Sequence, residues 1–396
     1  MTATTDTPGI PAAQPPLLVL PRPPARILVV ATRRIGDVLL ATPLIASLHA
    51  AWPGARLDVL VFSGTGGVLA GLSMVDTVIE VPERPAPGEH ARLLRRIACG
   101  YDLALSTIPG DRPTLYARIA GRRAIGIQLD GAKHLWKRRL LSASVPYDEQ
   151  GLHTVLQNLR LADALGIPRR HAVQVAADAA LPPTIEAEIE RAPFIVIHPW
   201  PRFRYKMWHE AGFAEFGRWA RARSLRILLS ASGSADELAY AQTLRSQLPQ
   251  DTIDLAGRVS LAQLAGVLRR ARLYLGPDTV VTHMAAALGV PTIALFGPSD
   301  PVRWGPWPAL HAADTSPWPR TGSGRIGNVY LLQGIAPCAP GVPCLMEGCG
   351  RHVESTSDCL TGLPAARVIA AAVELLALER PDAGGIDGRQ PMSERQ

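Results

Sequence analysis

The chain has 396 residues, of which 47% are hydrophobic and 5% aromatic, and its 41 Lys and Arg residues against 34 Asp and Glu give a formal charge of +7. This length is enough for two domains that each bury a core, and the moderate basic excess favours an anionic ligand or surface. Basic runs are not interleaved with aromatic residues, which argues against a nucleic-acid partner, and no apolar run reaches the roughly 18 residues of a membrane span.

Residues 1–25 are rich in Pro and Thr and predict a disordered leader. They lack the charged start and the small-residue cleavage pattern of a secretory signal. We therefore expect a cytoplasmic protein, in which five cysteines do not imply disulfides.

Short apolar segments recur between residues 26 and 128 and predict strands. The helix-like segment VLLATPLIASLHAAW (residues 38–52) follows the first of them, and such alternation is typical of a mostly parallel, doubly wound sheet. The Gly-rich piece at residues 64–67 is not a dinucleotide fingerprint, because Leu69 stands where its third glycine would fall. The predicted strands are residues 27–31, 56–62, 77–81, 102–106 and 124–127.

A basic cluster occupies residues 129–139 and contains Lys133, Lys137, Arg138 and Arg139. Two interpretations stay open: a solvated face, or a patch that meets an anionic acceptor or a phospholipid surface. A helix is predicted at residues 153–165. Residues 173–193 then read as the passage between domains, which gives a first domain of residues 26–185 and a second of residues 193–362.

The second domain repeats the alternation. Strands are predicted from Phe194, at residues 226–232 and ending near Gly257, and helices at residues 210–224 and 261–270. Two doubly wound domains would face each other across a cleft, because such sheets bind ligands at the carboxyl ends of their strands.

The stretch LYLGPDTVVTHMAAALGVPTIALFGPSD (residues 273–300) holds a strand, a tight turn, an Ala-rich helix and a buried strand at residues 292–296. Asp278 and Thr279 open the helix, and His283 lies four residues after Thr279 on the same face. Helix N-termini carry free N–H groups and partial positive charge, so this turn is a candidate phosphate site.

Three loops would line the cleft, at residues 33–37, 198–208 and 276–283. Together with RILVVATRRIGDVLLATPLIASLHAAWPGARLDVLV and GPDTVVTHMAAALGVPTIALFGPSDPVRWGP, they make residues 26–378 similar to the bacterial heptosyltransferases of glycosyltransferase family 9. The resemblance implies the GT-B architecture. It also implies inverting transfer of heptose from ADP-heptose, without a metal cofactor, to an acceptor in the inner core of lipopolysaccharide.

Asp37 is the candidate base. Inverting transfer needs a group that takes the proton of the acceptor hydroxyl, and a carboxylate in a strand-to-helix loop suits this role. Its position alone favours a helix N-cap instead; the resemblance selects the base. The resemblance likewise implies that Lys206 reaches the donor phosphates, where a surface lysine is the alternative.

Further site residues follow from the basic cluster, from the helix start at residues 278–279 and from the same resemblance. The acceptor side is predicted at Arg33, Arg34, Lys133 and Lys137, with peripheral contact with the inner membrane as a further expectation. Asp236 and Glu237 are equivalent candidates for the ribose hydroxyls. The predicted donor side comprises Trp200, Pro201, Lys206, Asp236, Glu237, Arg258, Val259, Asp278, Thr279, Val280 and His283.

Two departures from the family pattern touch the donor pocket. Trp200 and Pro201 replace small hydroxyl residues, and Val280 replaces a glycine. They leave open the donor sugar and two alternative functions: a nucleotide-sugar hydrolase or epimerase of the same fold, and a catalytically weakened nucleotide-sugar-binding protein.

Four cysteines lie close together near the C-terminus, at positions 338, 344, 349 and 359. Their gaps are wider than the C-x2-C pairs of typical thiolate sites, so Cys338, Cys344, Cys349 and Cys359 are either a structural zinc or iron site or free thiols. Residues 363–380 predict a terminal helix that crosses back to the first domain, and residues 381–396 a loose tail.

Overall fold

The computed structural model describes residues 15–149, 151–335 and 341–377. Within these residues the chain forms two α/β domains, each built on its own sheet and facing the other across a cleft. The fold predicted from the sequence is confirmed. No helix among the described residues is long and apolar enough to cross a membrane.

The first domain contains a sheet of six parallel strands in its described part, in the order β3-β2-β1-β4-β5-β6. Its strands are β1 (Arg26–Val30), β2 (Arg56–Phe62), β3 (Thr77–Val81), β4 (Tyr101–Ser106), β5 (Gly121–Gln128) and β6 (Ala143–Pro146). Its helices are α1 (Ile35–Leu39), α2 (Thr42–Ala51), α3 (Pro87–Ile97), α4 (Asp111–Ala120), α5 (Leu135–Leu140) and α6 (Thr154–Ala164).

The second domain contains seven strands among the described residues, in the order β12-β13-β11-β10-β7-β8-β9, with β12 antiparallel to β13 and the rest parallel. Its strands are β7 (Phe194–Ile197), β8 (Arg226–Leu229), β9 (Ile253–Asp254), β10 (Leu273–Pro277), β11 (Thr292–Phe296), β12 (Gly324–Ile326) and β13 (Val329–Gln333). The helices from the interdomain passage onward are α7 (Pro183–Glu190), α8 (Glu210–Arg221), α9 (Ala235–Gln247), α10 (Leu261–Arg270), α11 (Val280–Ala287), α12 (Pro301–Trp304), α13 (Asp358–Thr361) and α14 (Ala365–Leu376).

Strand order explains where the cleft residues lie. In each sheet the first strand, β1 or β7, has its successors β2 or β8 on one side and the later strand β4 or β10 on the other. The direction in which successive strands are added to the sheet reverses there, which leaves a crevice at the carboxyl ends of these strands. The loops after β1, β7 and β10 therefore open into the cleft.

Predicted element bounds agree best where periodicity and length are unambiguous. Residues 56–62, 77–81, 261–270 and 292–296 match β2, β3, α10 and β11. The predicted interdomain passage is more ordered than expected, because α7 begins inside it at Pro183, a residue whose fixed φ suits a first helical position.

The prediction of a disordered leader is wrong for residues 15–25. Leu18 is 8% exposed and joins the hydrophobic core, and its N–H donates to the Ala164 carbonyl at 2.9 Å. The buried Leu18 side chain and this backbone hydrogen bond thus hold the segment against α6. Residues 1–14, and the predicted tail at 381–396, lie outside the described residues.

The prediction for the terminal helix is also wrong in its packing. Helix α14 contacts α8, β10, β11 and β13, which all belong to the second domain. Its apolar face, including Val368, Ala372 and Leu375, is buried in the core of that domain. The described helix therefore completes the second domain.

Candidate functional site

The cleft between the two domains holds a cavity of about 1470 Å³. Helix α1 of the first domain packs against α11 of the second, so the loops after β1 and β10 meet across it. Arg34 reaches over the gap, with its guanidinium carbon 4.7 Å from the centre of the Phe203 ring. A cavity of this size has room for a nucleotide-sized donor and part of a second substrate.

Asp37 lies in the first turn of α1 and lines the cavity. Arg34 is the N-cap residue of this helix, so the capping alternative for Asp37 is wrong. Burial raises the pKa of Asp37, although Arg33, Arg34 and His283 act in the opposite direction. Its Oδ1 is buried and has no hydrogen-bond partner among the described residues. Asp37 thus presents an unpaired carboxylate oxygen with enhanced proton affinity.

Lys206 and Asp278 form a buried ion pair on the opposite wall. Lys206 Nζ donates to Asp278 Oδ2 at 2.5 Å, and His283 Nε2 lies 3.7 Å from Asp278 Oδ1. Burial alone would raise the pKa of Asp278, but the charge of Lys206, together with His283, holds it well below its ordinary value. Both residues line the cavity, so the Lys206 ammonium lies at its wall beside a carboxylate.

Helix α11 begins beside this pair. Thr279 is its N-cap, and the Thr279 hydroxyl accepts a hydrogen bond from the Thr282 N–H at 3.4 Å. Val280 is the first helical residue and lines the cavity with Thr279. The helix start and Lys206 together favour a phosphate group at this end of the cleft.

The other end of the cavity is more apolar. Trp200, Val259 and Leu261 line it, and the Trp200 ring packs on Tyr240 with centroids 5.0 Å apart. This end lies over β8 and β9, whose following loops contribute a polar edge. The edge residues are Ser232, Gly233, Ser234, Asp236 and Glu237.

The structure separates the two candidates for the ribose. The Glu237 carboxylate accepts the Ser232 backbone N–H at 2.5 Å, and the Glu237 N–H is capped by Ser234. Asp236 lines the same cavity, and no ion pair involves it among the described residues. Asp236 is therefore the carboxylate available to a ligand.

Several predicted residues lie away from the cavity. Pro201 is buried, and Arg258 donates to the Asp254 carbonyl at 2.8 Å instead of lining the cleft. Arg33 lies 3.5 Å from Asp37 Oδ2 and lines a small neighbouring cavity.

The basic cluster also lies outside the cavity, and its solvated-face interpretation is wrong for Lys137. The Lys137 side chain is 7% exposed and donates to Asp111 at 2.8 Å, while Lys133 is exposed. The covered Lys137 ammonium thus pairs with the exposed Asp111 carboxylate and does not offer a free charge to the acceptor. This pairing depends on the tertiary fold, which brings Asp111, at the start of α4, next to Lys137 of α5.

Some cavity residues were missed by sequence reasoning. Phe203 and Tyr205 stack in parallel, 5.5 Å apart, beside Lys206. Asp300 and Arg320 pair at 3.0 Å at the rim. Phe203 and Tyr205 follow β7, and Asp300 follows β11, so their positions in loops after strands could have indicated them. The cysteine-containing region also reaches the cavity, through Leu345, Met346, Glu347 and Glu354.

The cysteines do not assemble into a metal site in the part of the chain that the structure describes. No three His, Cys, Asp or Glu side chains there are placed to hold a metal ion. Cys344 and Cys349 are free thiols, and Cys359 is buried. Cys338 lies outside the described residues.

The sequence is similar to known glycosyltransferases. Residues 93–316, more than half of the chain, match the family model of glycosyltransferase family 9 (heptosyltransferase). Lipopolysaccharide heptosyltransferase 1 of Pseudomonas aeruginosa is 30% identical over 289 residues, which cover 70% of this chain and 79% of that protein. Lipopolysaccharide heptosyltransferase 3 of Escherichia coli is 27% identical over 291 residues, which cover 69% and 83%.

Solved structures agree on the fold. A family 9 glycosyltransferase from Veillonella parvula superposes with a TM-score of 0.69 at 18% identity and covers 89% of this chain and 97% of that one. The Escherichia coli heptosyltransferase WaaC, solved with ADP, gives a TM-score of 0.66 at 20% identity, with coverages of 88% and 99%. The two-domain cleft is therefore shared with proteins of this kind.

Proposed function

The chain belongs to glycosyltransferase family 9, and on that premise we propose that this glycosyltransferase moves a heptose from ADP-heptose to a lipopolysaccharide core acceptor. The relatives named as lipopolysaccharide heptosyltransferases support heptose as the sugar and lipopolysaccharide as the acceptor. A structure of similar fold, named as an Escherichia coli ADP-heptose heptosyltransferase, supports ADP-heptose as the donor. We propose inversion at the sugar carbon and no requirement for a metal. A hydrolase, an epimerase and an inactive binding protein are not favoured by these relatives.

One observation carries the proposal: the unpaired Oδ1 of Asp37, from the first domain, and the Lys206–Asp278 pair, from the second, belong to residues that line the same cavity. An inverting transfer requires the acceptor oxygen and the leaving diphosphate on opposite faces of the sugar. A base on one domain and a phosphate site on the other provide this arrangement.

In the proposed mechanism, Asp37 accepts the proton of the acceptor hydroxyl as that oxygen bonds to the anomeric carbon. The bond from this carbon to the diphosphate breaks on the opposite face. Negative charge then grows on the diphosphate, where Lys206 and the N-terminus of α11 stabilise it. Lys206 exchanges part of its pairing with Asp278 for the phosphate oxygens.

The donor nucleoside occupies the more apolar end in this proposal. The adenine lies between Trp200 and the apolar wall of Val259 and Leu261, since aromatic rings stack on bases. Asp236 accepts the ribose hydroxyls. The Trp200–Tyr240 packing supports this role, because it fixes the Trp200 ring at the cavity wall.

The acceptor approaches from the first domain, where Arg34 meets its anionic groups. We further propose that α5 touches the membrane that carries this glycolipid. Leu135, Trp136 and Leu140 are 41%, 45% and 36% exposed, and exposed Lys133 and Arg139 accompany them. Apolar side chains flanked by basic ones suit an anionic lipid surface.

The proposal is tested by incubating the protein with ADP-heptose and a lipid A acceptor that bears the preceding core sugar. We expect the acceptor to gain the mass of one heptosyl residue with wild type and not with Asp37→Asn. Transfer from a different nucleotide sugar alone would contradict the donor assignment. Release of free sugar without acceptor, and no transfer with it, would contradict the transferase itself.

A further inference from the structure

Residues 345–357 form a wall of the donor cavity, which we call the rim segment. It contributes Leu345, Met346, Glu347 and Glu354 to the cavity lining. The segment lies in the cysteine-containing region, yet none of its contacts to the cleft involves a cysteine side chain among the described residues. Its other contacts include hydrogen bonds to the turn that carries Lys206.

The rim segment is bonded to the turn that carries Lys206. The Arg204 N–H donates to the Val353 carbonyl at 3.2 Å, and the Ser357 hydroxyl donates to the Tyr205 carbonyl at 2.7 Å. Arg204, Tyr205 and Lys206 make up a single turn of 3-10 helix. Two of its three residues are thus held by the rim segment through their backbone.

A third contact brings the two backbones unusually close. Gly348 is buried, packs on Tyr205 and has a φ of +81°, in the left-handed region. A Cβ at this position would lie 2.9 Å from Tyr205 Cβ and 2.0 Å from Ser355 Oγ. Only glycine meets both demands, the positive φ and the close approach.

These contacts matter because a lysine has a long and flexible side chain. A fixed backbone at its turn limits the positions that Nζ can take and so favours the one observed beside Asp278. The turn follows the extended residue Phe203 and precedes Met207, which is also extended, so it is not part of a longer helix. The rim segment supplies fixed partners that such a short turn lacks.

We propose that the rim segment positions Lys206, with Gly348 and Ser357 as the positioning residues, and thereby sets the affinity for the donor diphosphate. This inference rests on the proposed function, in which Lys206 binds that diphosphate. It assigns a role in donor binding to the cysteine-containing region, for which the sequence indicated only a metal site or free thiols.

The test measures binding of ADP and of adenosine by calorimetry to the full chain. Gly348→Ala and Ser357→Ala are compared with Lys206→Met and with the control Gly341→Ala. Gly341 also has a positive φ, +102°, but a Cβ there would meet nothing within 4 Å. The control therefore carries the same backbone strain without displacing the Lys206 turn.

We expect Gly348→Ala and Ser357→Ala to weaken ADP binding about tenfold, the loss of roughly one charge-assisted hydrogen bond. Adenosine binding should stay unchanged in both, which also shows that the nucleoside end is folded. Gly341→Ala should bind both ligands as wild type does.

A double-mutant cycle distinguishes positioning from general damage. In the Lys206→Met background, Gly348→Ala and Ser357→Ala should weaken ADP binding no further, because they act through Lys206. Additive losses, or unchanged ADP binding in the single variants, would overturn the inference. If Lys206→Met itself left ADP binding intact, the proposed role of Lys206 would fail instead.

Discussion

At the scale of single residues, Asp37 has the two properties that a general base requires. Its Oδ1 has no hydrogen-bond partner within the described residues, and burial raises its pKa. A buried carboxylate oxygen without a hydrogen-bond partner costs the folded state free energy, although Arg33 pairs with the other oxygen, Oδ2. Catalysis and stability therefore make opposite demands on this position.

We predict that Asp37→Asn lowers kcat about 100- to 10,000-fold, the usual contribution of a general base. The amide removes the buried charge, so the variant should also unfold at a higher temperature than wild type at pH 8. Turnover assays and calorimetric melting check the two effects. Near-normal turnover would remove Asp37 from the mechanism.

The pH dependence follows from the same shift. Because the folded-state pKa of Asp37 is raised, its protonated form persists to a higher pH than that of an ordinary aspartate, and activity should fall with decreasing pH already above the usual range. In Asp37→Asn the residual activity should lack this acidic limb. A pH profile of kcat/KM for both proteins measures the difference, and identical acidic limbs would contradict it.

Lys206 and Asp278 should stabilise the fold only as a pair. Their side chains are 17% and 9% exposed, so removing one partner leaves a poorly solvated charge. Lys206→Met should therefore destabilise the protein by about 3 kcal/mol, the usual effect of breaking a buried pair. The double variant Lys206→Met with Asp278→Asn should recover part of this loss.

Chemical denaturation at pH 7 measures Lys206→Met, Asp278→Asn and the double variant. The depressed pKa of Asp278 means that its contribution is present at neutral pH and is lost only as the pH falls below the ordinary range of an aspartate. A double variant less stable than the sum of the single ones would contradict the pairing.

At the scale of secondary-structure elements, α5 has an unusual orientation. Lys137 points inward to Asp111, while Leu135, Trp136 and Leu140 are exposed. Burying a charge and exposing a tryptophan is unfavourable in water alone. The element is better matched to a surface with an apolar layer.

We predict that the protein binds vesicles containing phosphatidylglycerol and that neutralising Lys133 and Arg139 together weakens binding about fivefold per charge removed. Trp136→Ala should weaken it as well, since indole rings favour the membrane–water interface. Vesicle sedimentation at two salt concentrations checks this. Leu310→Ala is the control, because Leu310 is 92% exposed and lies in the second domain. Equal losses in Trp136→Ala and the control would contradict the proposal.

At the scale of the whole molecule, one core cluster runs through both domains. It includes Val29 and Leu105 of the first domain and Val196 and Tyr274 of the second. The domain junction also contains His153, the N-cap of α6, whose Nε2 donates to the Gly305 carbonyl at 2.8 Å while its Nδ1 accepts the Val155 N–H. Such continuity favours cooperative unfolding of the two domains.

We predict that acid weakens this junction through His153. Burial lowers its pKa to about 3, so the folded state stays neutral while the unfolded chain takes up a proton below about pH 6.5. Stability should fall as the pH drops from about 6.5 towards about 3, by up to about 1.4 kcal/mol per pH unit for this group. Burial of His198 acts in the same direction, down to a pKa of about 4.

His153→Ala tests this effect. It should be less stable than wild type at pH 8, because the cap and the junction contact are lost. Its stability should depend less on pH between 6.5 and 4. Denaturation series at several pH values give both quantities, and parallel curves for the two proteins would contradict the role of His153.

The sequence by itself determined the fold class, most element bounds and the three loops after β1, β7 and β10. Local patterns suffice for this, because apolar periodicity and helix-start residues act over a few positions and parallel sheets direct successive loops to one edge. Asp278 and His283 follow from their places at a helix start, whereas Asp37 and Lys206 were selected by the family resemblance; all four line the cavity.

Only the tertiary structure decided what depends on residues distant in sequence. Lys137 pairs with Asp111. The Ser232 N–H donates to the Glu237 carboxylate, which leaves Asp236 available to a ligand. Helix α14 packs in the core of the second domain. The rim segment met the Lys206 turn across some 150 residues through Ser357 and Tyr205. Such pairings are set by packing and by satisfying buried polar groups, and no local pattern records them.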